Sequence, residues 1–403
     1  MVRRRLVVVA VGALVLVGAG VGAFLATRSS APGTLTRYRS APLGLDPNPA
    51  RVLGRLPAEG TVLGDEVMVA DNAVVSYEAV TGAKVWSYDR GKHYPVTIGE
   101  ASVWVAAAWY DGTISALNSD GTVRWQTRPA DLRHDSAGAV WVRYARVLVA
   151  TKHRLVSLDA SSGRHQWSAA LPSGCSPRPS ATATLHAVVV VGLNCSGDGP
   201  AFVGIDLATG KTRWTRPHWA ADVQPLDADR VAILDVSSVI IVTGTSGAAQ
   251  TVPFTGTRLR YQEPMAICGD TIVLENATPS PGGTEMTAAS LTSRAELWRH
   301  TASTRQHIGG LAGCAGDRVY YLEEQRTGHN KWTYNLVIVD LHTGRQLASI
   351  AVPPAPRGPD GLPTEPILIR LRPPLVEIGY PTTSLEAIGG NYPVVLLSTG
   401  APN

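Results

Sequence analysis

Cysteine, histidine and carboxylate are the side chains most able to do chemistry, and in this 403-residue chain their spacing points mostly away from it. The four cysteines are Cys175, Cys195, Cys268 and Cys314. None stands in a C-x-x-C arrangement, so the spacing supports neither a zinc site nor a dithiol redox pair. Disulfides in an oxidising compartment and buried free thiols both remain open. Of the three connectivities that four cysteines allow, the reading adopted pairs Cys175 with Cys195 and Cys268 with Cys314. The ten histidines are scattered, with no H-E-x-x-H and no paired metal spacing, and read as surface or turn residues. Gly244-Thr245-Ser246-Gly247 and Gly309-Gly310 lack the Lys-Ser/Thr context of a phosphate loop. Asn194-Cys195-Ser196 and Asn276-Ala277-Thr278 match a glycosylation sequon by spacing only. No catalytic, cofactor-binding or metal-ligating residue is assigned, and no cofactor is expected.

What does recur is structural. An alternating apolar stretch, an Asp or its like, a Gly, and a Trp four residues later appear in Val75–Trp86, where Gly82 precedes Trp86. The phrase returns with Gly121 and Trp125, Gly163 and Trp167, and Gly210 and Trp214. Weaker copies pair Gly247 with Thr251, Arg294 with Trp298, and Gly344 with Ala348. The unit repeats every ~40–50 residues, the length of one four-stranded propeller blade. Within each unit the Gly suits a hairpin position of positive φ. The Trp would open the outer strand and pack its ring between neighbouring blades. A second turn recurs upstream, at Gly64-Asp65, Gly99-Glu100, Gly269-Asp270 and Gly316-Asp317, and reads as the link from the innermost strand to the next. Cys268 and Cys314 precede Asp270 and Asp317 at equivalent places, so a bridge between them would tie two innermost strands. Cys175 and Cys195 both fall within the fourth unit.

Seven units are followed by strand-like runs at 367–371, 375–380 and 394–397, ending Ser398-Thr399-Gly400 before any outer strand. Residues 51–56 offer the missing strand, which would close the ring and remove its open edges. The expected fold class is therefore all-β: an eight-bladed β-propeller, with seven blades as the alternative, preceded by one N-terminal transmembrane helix.

The phrase Leu/Ile-x-Asp-x-x-Thr-Gly-x-x-x-Trp resembles the repeat of the PQQ-binding-like propellers, the quinoprotein alcohol dehydrogenase-like superfamily. The resemblance covers about 49–400, with clear copies in the first four units. It implies an eight-bladed ring without implying the cofactor. Chains of this kind that lack the dehydrogenase signatures include an outer-membrane assembly factor and membrane-anchored propellers of actinobacteria, and the latter are the more similar in layout. The dehydrogenases hold PQQ against adjacent cysteines, with Ca²⁺ on Glu and Asn. This chain has no adjacent cysteines, and Asp159, Asp206 and Asp340 occupy repeat slots suited to turns.

The anchor reading rests on Leu6–Ala26, an uncharged run after Arg3, Arg4 and Arg5, since ~20 apolar residues span a bilayer. A cleavable signal peptide is the rival, although its apolar core is shorter, roughly 7–15 residues, and ends at a small-x-small site. No cysteine near the run allows lipidation. The basic N-terminus places 1–5 in the cytoplasm, 6–26 in the membrane, 27–49 as a linker, and 50–400 outside as the propeller. The formal charge is +4, yet six arginines and no acid precede residue 40. The propeller is thus slightly acidic, which argues against a nucleic-acid partner.

Aromatics outside the repeat slot, Trp104, Trp109, Tyr110, Trp141, Tyr144, Trp219, Tyr261 and Trp332, are either core packing or a binding surface. The stretches 278–284, 324–334 and 355–363 are longer than hairpins need, and loops on a rigid scaffold carry recognition. The expected function is a non-enzymatic, monomeric, membrane-anchored extracytoplasmic scaffold for a protein, peptide or envelope component. The rivals are a membrane-bound PQQ-dependent oxidoreductase and an extracellular sensor subunit.

Overall fold

A computed structural model describes residues 33–37, 52–56, 60–63, 66–70, 72–78, 83–101, 103–132, 137–197, 199–217, 222–235, 238–253, 262–280, 283–301, 306–328, 331–353, 367–372, 375–379 and 394–398. Among them eight antiparallel sheets form; in seven, four strands follow one another in chain order from the innermost outward, and in the eighth three do. The first sheet runs Gly60–Leu63, Glu66–Ala70, Val74–Glu78 and Lys84–Asp89. Six more follow without interruption, from Pro95–Glu100 to Gln346–Val352. The eighth holds Ile367–Arg372, Leu375–Gly379 and Val394–Ser398, and its outer strand is Val52–Leu56, from the other end of the chain. Val52 stands opposite Leu397 and Leu56 opposite Val394. The N-terminal and C-terminal parts are thereby joined by a backbone ladder.

Alternation along each strand sends side chains to the two neighbouring sheets in turn. In Arg146–Thr151, Val147 and Val149 pack with Ala106, Ala116 and Trp125 of the second sheet. Leu148 and Ala150 pack instead with Val189, Val191 and Ile205 of the fourth. Similar clusters lie between the first and second sheets, the fourth and fifth, the fifth and sixth, the sixth and seventh, and the seventh and eighth. The core is therefore a series of layers between sheets rather than one central mass. The innermost strands also run side by side, Pro95–Glu100 against Ala137–Arg143 and Gln262–Cys268 against Gln306–Ala315.

This up-and-down order fixes two ends. Hairpins joining first to second and third to fourth strands emerge at one end, here called the turn end. Second-to-third hairpins and the crossovers between sheets emerge at the other, the loop end.

Three departures from the sequence reading have local causes. Thr34–Arg37, inside the stretch read as linker, forms a fifth strand on Lys84–Asp89. Its Leu35 packs on the cluster that holds Trp86, so one apolar residue between threonines suffices to seat it. Gly99 lies within the innermost strand, not in a turn, and glycine suits it because a Cβ there would come 2.5 Å from the Val140 carbonyl oxygen on the innermost strand of the next sheet. Within 278–284 Ser280 pairs Gly283 beyond a shift in register, and the stretch 324–334 is mostly ladder, as Arg318–Gly328 pairs Lys331–Asp340. Cross-strand contacts extend the second hairpin, with the Tyr334 hydroxyl donating to Glu324 at 2.9 Å and Arg326 lying over Trp332. The stretch 355–363 and the run 6–26 lie outside the described residues. Among the described residues no helix is long and apolar enough to cross a membrane.

Candidate functional site

Five repeat tryptophans each join their own sheet to the next at the turn end. Nε1 donates to a backbone carbonyl of the following sheet: Trp86 to Ser119 at 2.6 Å, Trp125 to Ala160 at 2.9 Å and Trp167 to Leu207 at 2.8 Å. Trp214 donates to Gly244 at 2.7 Å and Trp298 to Leu341 at 2.7 Å. Each ring lies on the repeat glycine of that next sheet. A Cβ on Gly121, Gly163, Gly210, Gly247 or Gly344 would come within 2.4–2.8 Å of it. The Asp slot organises the same turn. Asp159 accepts from the backbone N–H groups and hydroxyls of Ser161 and Ser162, which bring its carboxyl down to about 2. Burial pushes the Asp206 carboxyl up, but hydrogen bonds from Arg213 and Thr209 outweigh it and bring it down to about 2. These carboxylates are committed to turns.

The cysteines are also structural. Cys175 and Cys195 face each other on the first two strands of the fourth sheet and are bonded. Cys268 and Cys314 are bonded across the innermost strands of the sixth and seventh sheets.

The connections from innermost to second strand at the turn end differ among the sheets. Two-residue turns link innermost and second strands at Gly269-Asp270 and Gly316-Asp317, with the glycines at φ 58° and 56°. The equivalent turn in the third sheet is Tyr144-Ala145, at φ 47° and 58°. A non-glycine residue in this region costs roughly 1–2 kcal/mol, a cost that tends to persist where function holds it. Tyr144 is 50% exposed, with its ring edge-on to His186 of the neighbouring turn, 5.5 Å between centroids. Beside it opens a cleft of about 510 Å³ between the second and third sheets, lined by Glu100, Trp104, Val142, Arg143, Tyr144 and alanines. Its walls are packed from behind. Trp104 stands edge-to-face on Trp125, whose indole holds Ala160 of the cleft rim, and Arg124 lies over the Trp104 ring at 5.5 Å. Val103, 60% exposed, directly precedes Trp104 of the lining. A carboxylate, a guanidinium and two aromatic rings around a fixed concavity can grip a side chain or a short segment.

The other aromatics separate. Trp109 is fully buried, donating to Ser115 Oγ at 3.0 Å, and Trp141 packs on the core between the third and fourth sheets. Tyr110 is exposed at the loop end, Trp332 lies under Arg326, and Trp219 and Tyr261 lie outside the described residues.

A Ser-His-Asp cluster that spacing does not reveal occurs at Ser168, His165 and Asp131. Ser168 Oγ donates to Asp131 Oδ2 at 2.5 Å, and His165 Nε2 lies 2.8 Å from that hydroxyl and 3.5 Å from the same carboxylate. A hydrolytic triad needs the carboxylate on the ring's other nitrogen. Arg154 also holds Asp131 at 2.7 Å, so the arrangement is an exposed polar cluster without an activated nucleophile. Among the described residues no three metal-ligating side chains converge.

The family of outer membrane protein assembly factor BamB matches residues 110–265. The crystal structure of BamB from Moraxella catarrhalis is similar at 15% identity and a TM-score of 0.52, over 91% of this chain and 100% of that one. The computationally designed Ika8 protein is similar at 12% identity and 0.55, over 85% and 98%. Quinohemoprotein alcohol dehydrogenase from Comamonas testosteroni is similar at 13% identity and 0.48, over 88% and 77%. At these identities the likeness to the first two structures shows the fold alone. No curated protein matches the sequence.

Proposed function

We propose that this chain, a β-propeller of PQQ-like repeats, is a non-enzymatic binding scaffold held at a membrane by its N-terminal apolar run. Its ring has eight blades, closed by the ladder of Val52–Leu56 on Val394–Ser398. The propeller lies outside the cytoplasm, a reading supported by Arg3–Arg5 before the apolar run and by four cysteines all in disulfides. The partner is a protein or peptide, as the assembly-factor match over 110–265 favours.

The observation that carries the binding role is the cleft at Tyr144. A tyrosine occupies the left-handed slot that sister turns give to glycine, and it borders the concavity between the second and third sheets. Half of its surface stays exposed, and its ring meets His186 of the neighbouring turn edge-on. A photo-crosslinking residue in place of Val103, in cells, tests the reading. A discrete adduct from position 103, without one from Leu297 on an outer strand, is expected; equal or absent adducts at both overturn it. The oxidoreductase rival predicts PQQ and Ca²⁺ binding with dye-linked alcohol oxidation, and that result would sink the scaffold reading.

A further inference from the structure

The loop end of the first two sheets carries exposed apolar surface on a costly support. Tyr94 and Tyr110 are 48% and 57% exposed, their rings side by side at 5.3 Å, and the Tyr110 N–H donates to the Tyr94 carbonyl. Val96 is exposed next to them, and Lys92 projects from the adjoining turn, where Asp89 accepts from the Gly91 N–H. Beneath the pair, Arg90 and Asp111 form a buried ion pair at 2.9 Å. Burial pushes the Asp111 carboxyl up, but hydrogen bonds from Arg90 and from the Thr113 N–H and hydroxyl outweigh it and hold the carboxyl below its ordinary value. The Arg90 guanidinium in turn lies over Trp109 at 5.3 Å. A buried ion pair adds little stability by itself, and Arg90 Nε is left without a hydrogen-bond partner. The pair ties together the two segments that carry the tyrosines.

The chain reaches the propeller at the same end. Thr34 stands opposite Asp89 and Arg37 opposite Trp86, so the strand descends from the loop end toward the turn end. Gly33 is tied there by its N–H to the Tyr88 hydroxyl at 2.9 Å. Arg90, which grips Asp111, directly follows Asp89. The apolar run ends at Ala26, seven residues before Gly33. At ~3.5 Å per residue those seven reach at most about 25 Å. On the reading that the run is a membrane span, the bilayer surface therefore lies close to the loop end of the first two sheets.

From this we infer that the Tyr94–Tyr110 patch is a lipid-contact surface: the propeller leans on the bilayer through these two rings, with Lys92 toward lipid phosphates. Tyrosine suits the headgroup layer because its ring is apolar and its hydroxyl stays wet, and lysine reaches phosphate from a flexible stem. The inference rests on the anchor reading, and it leaves the Tyr144 cleft, at the turn end, facing away from the membrane.

The test uses the full chain in vesicles of phosphatidylethanolamine and phosphatidylglycerol. A photo-crosslinking residue replaces Tyr94 or Tyr110, with Val103 and Leu297 as equally accessible controls elsewhere and Val15 as a probe of the apolar run. Lipid adducts at 94 and 110, several-fold above those at 103 and 297, are expected together with a strong adduct at 15. An adduct at 15 with only control levels at 94 and 110 overturns the contact and leaves the anchor standing. Control levels at all three overturn both. Adducts at 94 and 110 without one at 15 support the contact and remove the anchor.

Discussion

Two neighbouring junctions of the ring differ in a way that separates two roles of glycine. Between the fourth and fifth sheets, Trp214 lies on Gly247. Between the fifth and sixth, the corresponding residues are Thr251, which is exposed, and Arg294. Arg294 adopts φ 61°, close to the 67° of Gly247 and Gly344, so the turn itself tolerates a side chain. Glycine is required where a ring lies on it, and the arginine stands where no ring exists. The junction without the staple relies on aliphatic packing, with Ile267, Ile272 and Leu274 against Ala232 and Val239, and on the Ile267 N–H donating to Gln224 at 2.9 Å.

The largest expected contrast follows from removing rings. Trp167→Ala should lose about 3–5 kcal/mol in denaturant unfolding, because a buried ring and its hydrogen bond to Leu207 both go. Thr251→Ala at the unstapled junction should change stability by no more than ~0.5 kcal/mol. Similar losses at both sites would break the comparison.

Glycine substitutions sharpen it. Gly210→Ala combines a strained φ with a Cβ 2.7 Å from the Trp167 ring, and should lose about 2–4 kcal/mol. Arg294→Gly should leave stability unchanged or raise it by up to about 1 kcal/mol, as relief of strain offsets the glycine's entropy. Chemical denaturation of the two variants side by side decides this.

The smallest effect is one of pH. The Asp159 carboxyl lies at about 2, below its ordinary 3.8, so its contribution is fully present above 3.8 and is lost as pH falls through 2. The fifth sheet has Thr243 in that slot and adds no such term. Asp159→Asn should flatten the acid limb of the stability profile between those values; an unchanged limb would show that the turn carboxylate contributes nothing.

Much of this was legible in the residues themselves. Trp86, Trp125, Trp167 and Trp214 stand four residues after a glycine, and that spacing places both in one hairpin while their repetition marks the sheets. Val52–Leu56 was readable as an outer strand because the last unit ends one strand short. What escaped depends on contacts between units. Gly99 reads as a turn glycine until Val140 of the next sheet is seen against it. Thr34–Arg37 is too short to show a period, and only the open edge of Lys84–Asp89 gives it a place. Tyr144 was one of eight candidate aromatics, and sequence alone does not show that it shares the positive φ of Gly269 and Gly316.

Tyr144 and Arg294 are thus opposite departures from one rule. The missing Trp accounts for Arg294, whereas Tyr144 meets His186 edge-on and leaves half of its surface exposed beside the cleft. The measurement that tests the account most directly is Tyr144→Gly, scored for both stability and partner contact. Denaturant unfolding should be unchanged or slightly more resistant, while the adduct formed from position 103 in cells disappears. A destabilised chain, or an adduct that persists undiminished, would show that Tyr144 serves the fold and that the cleft is not where the partner binds.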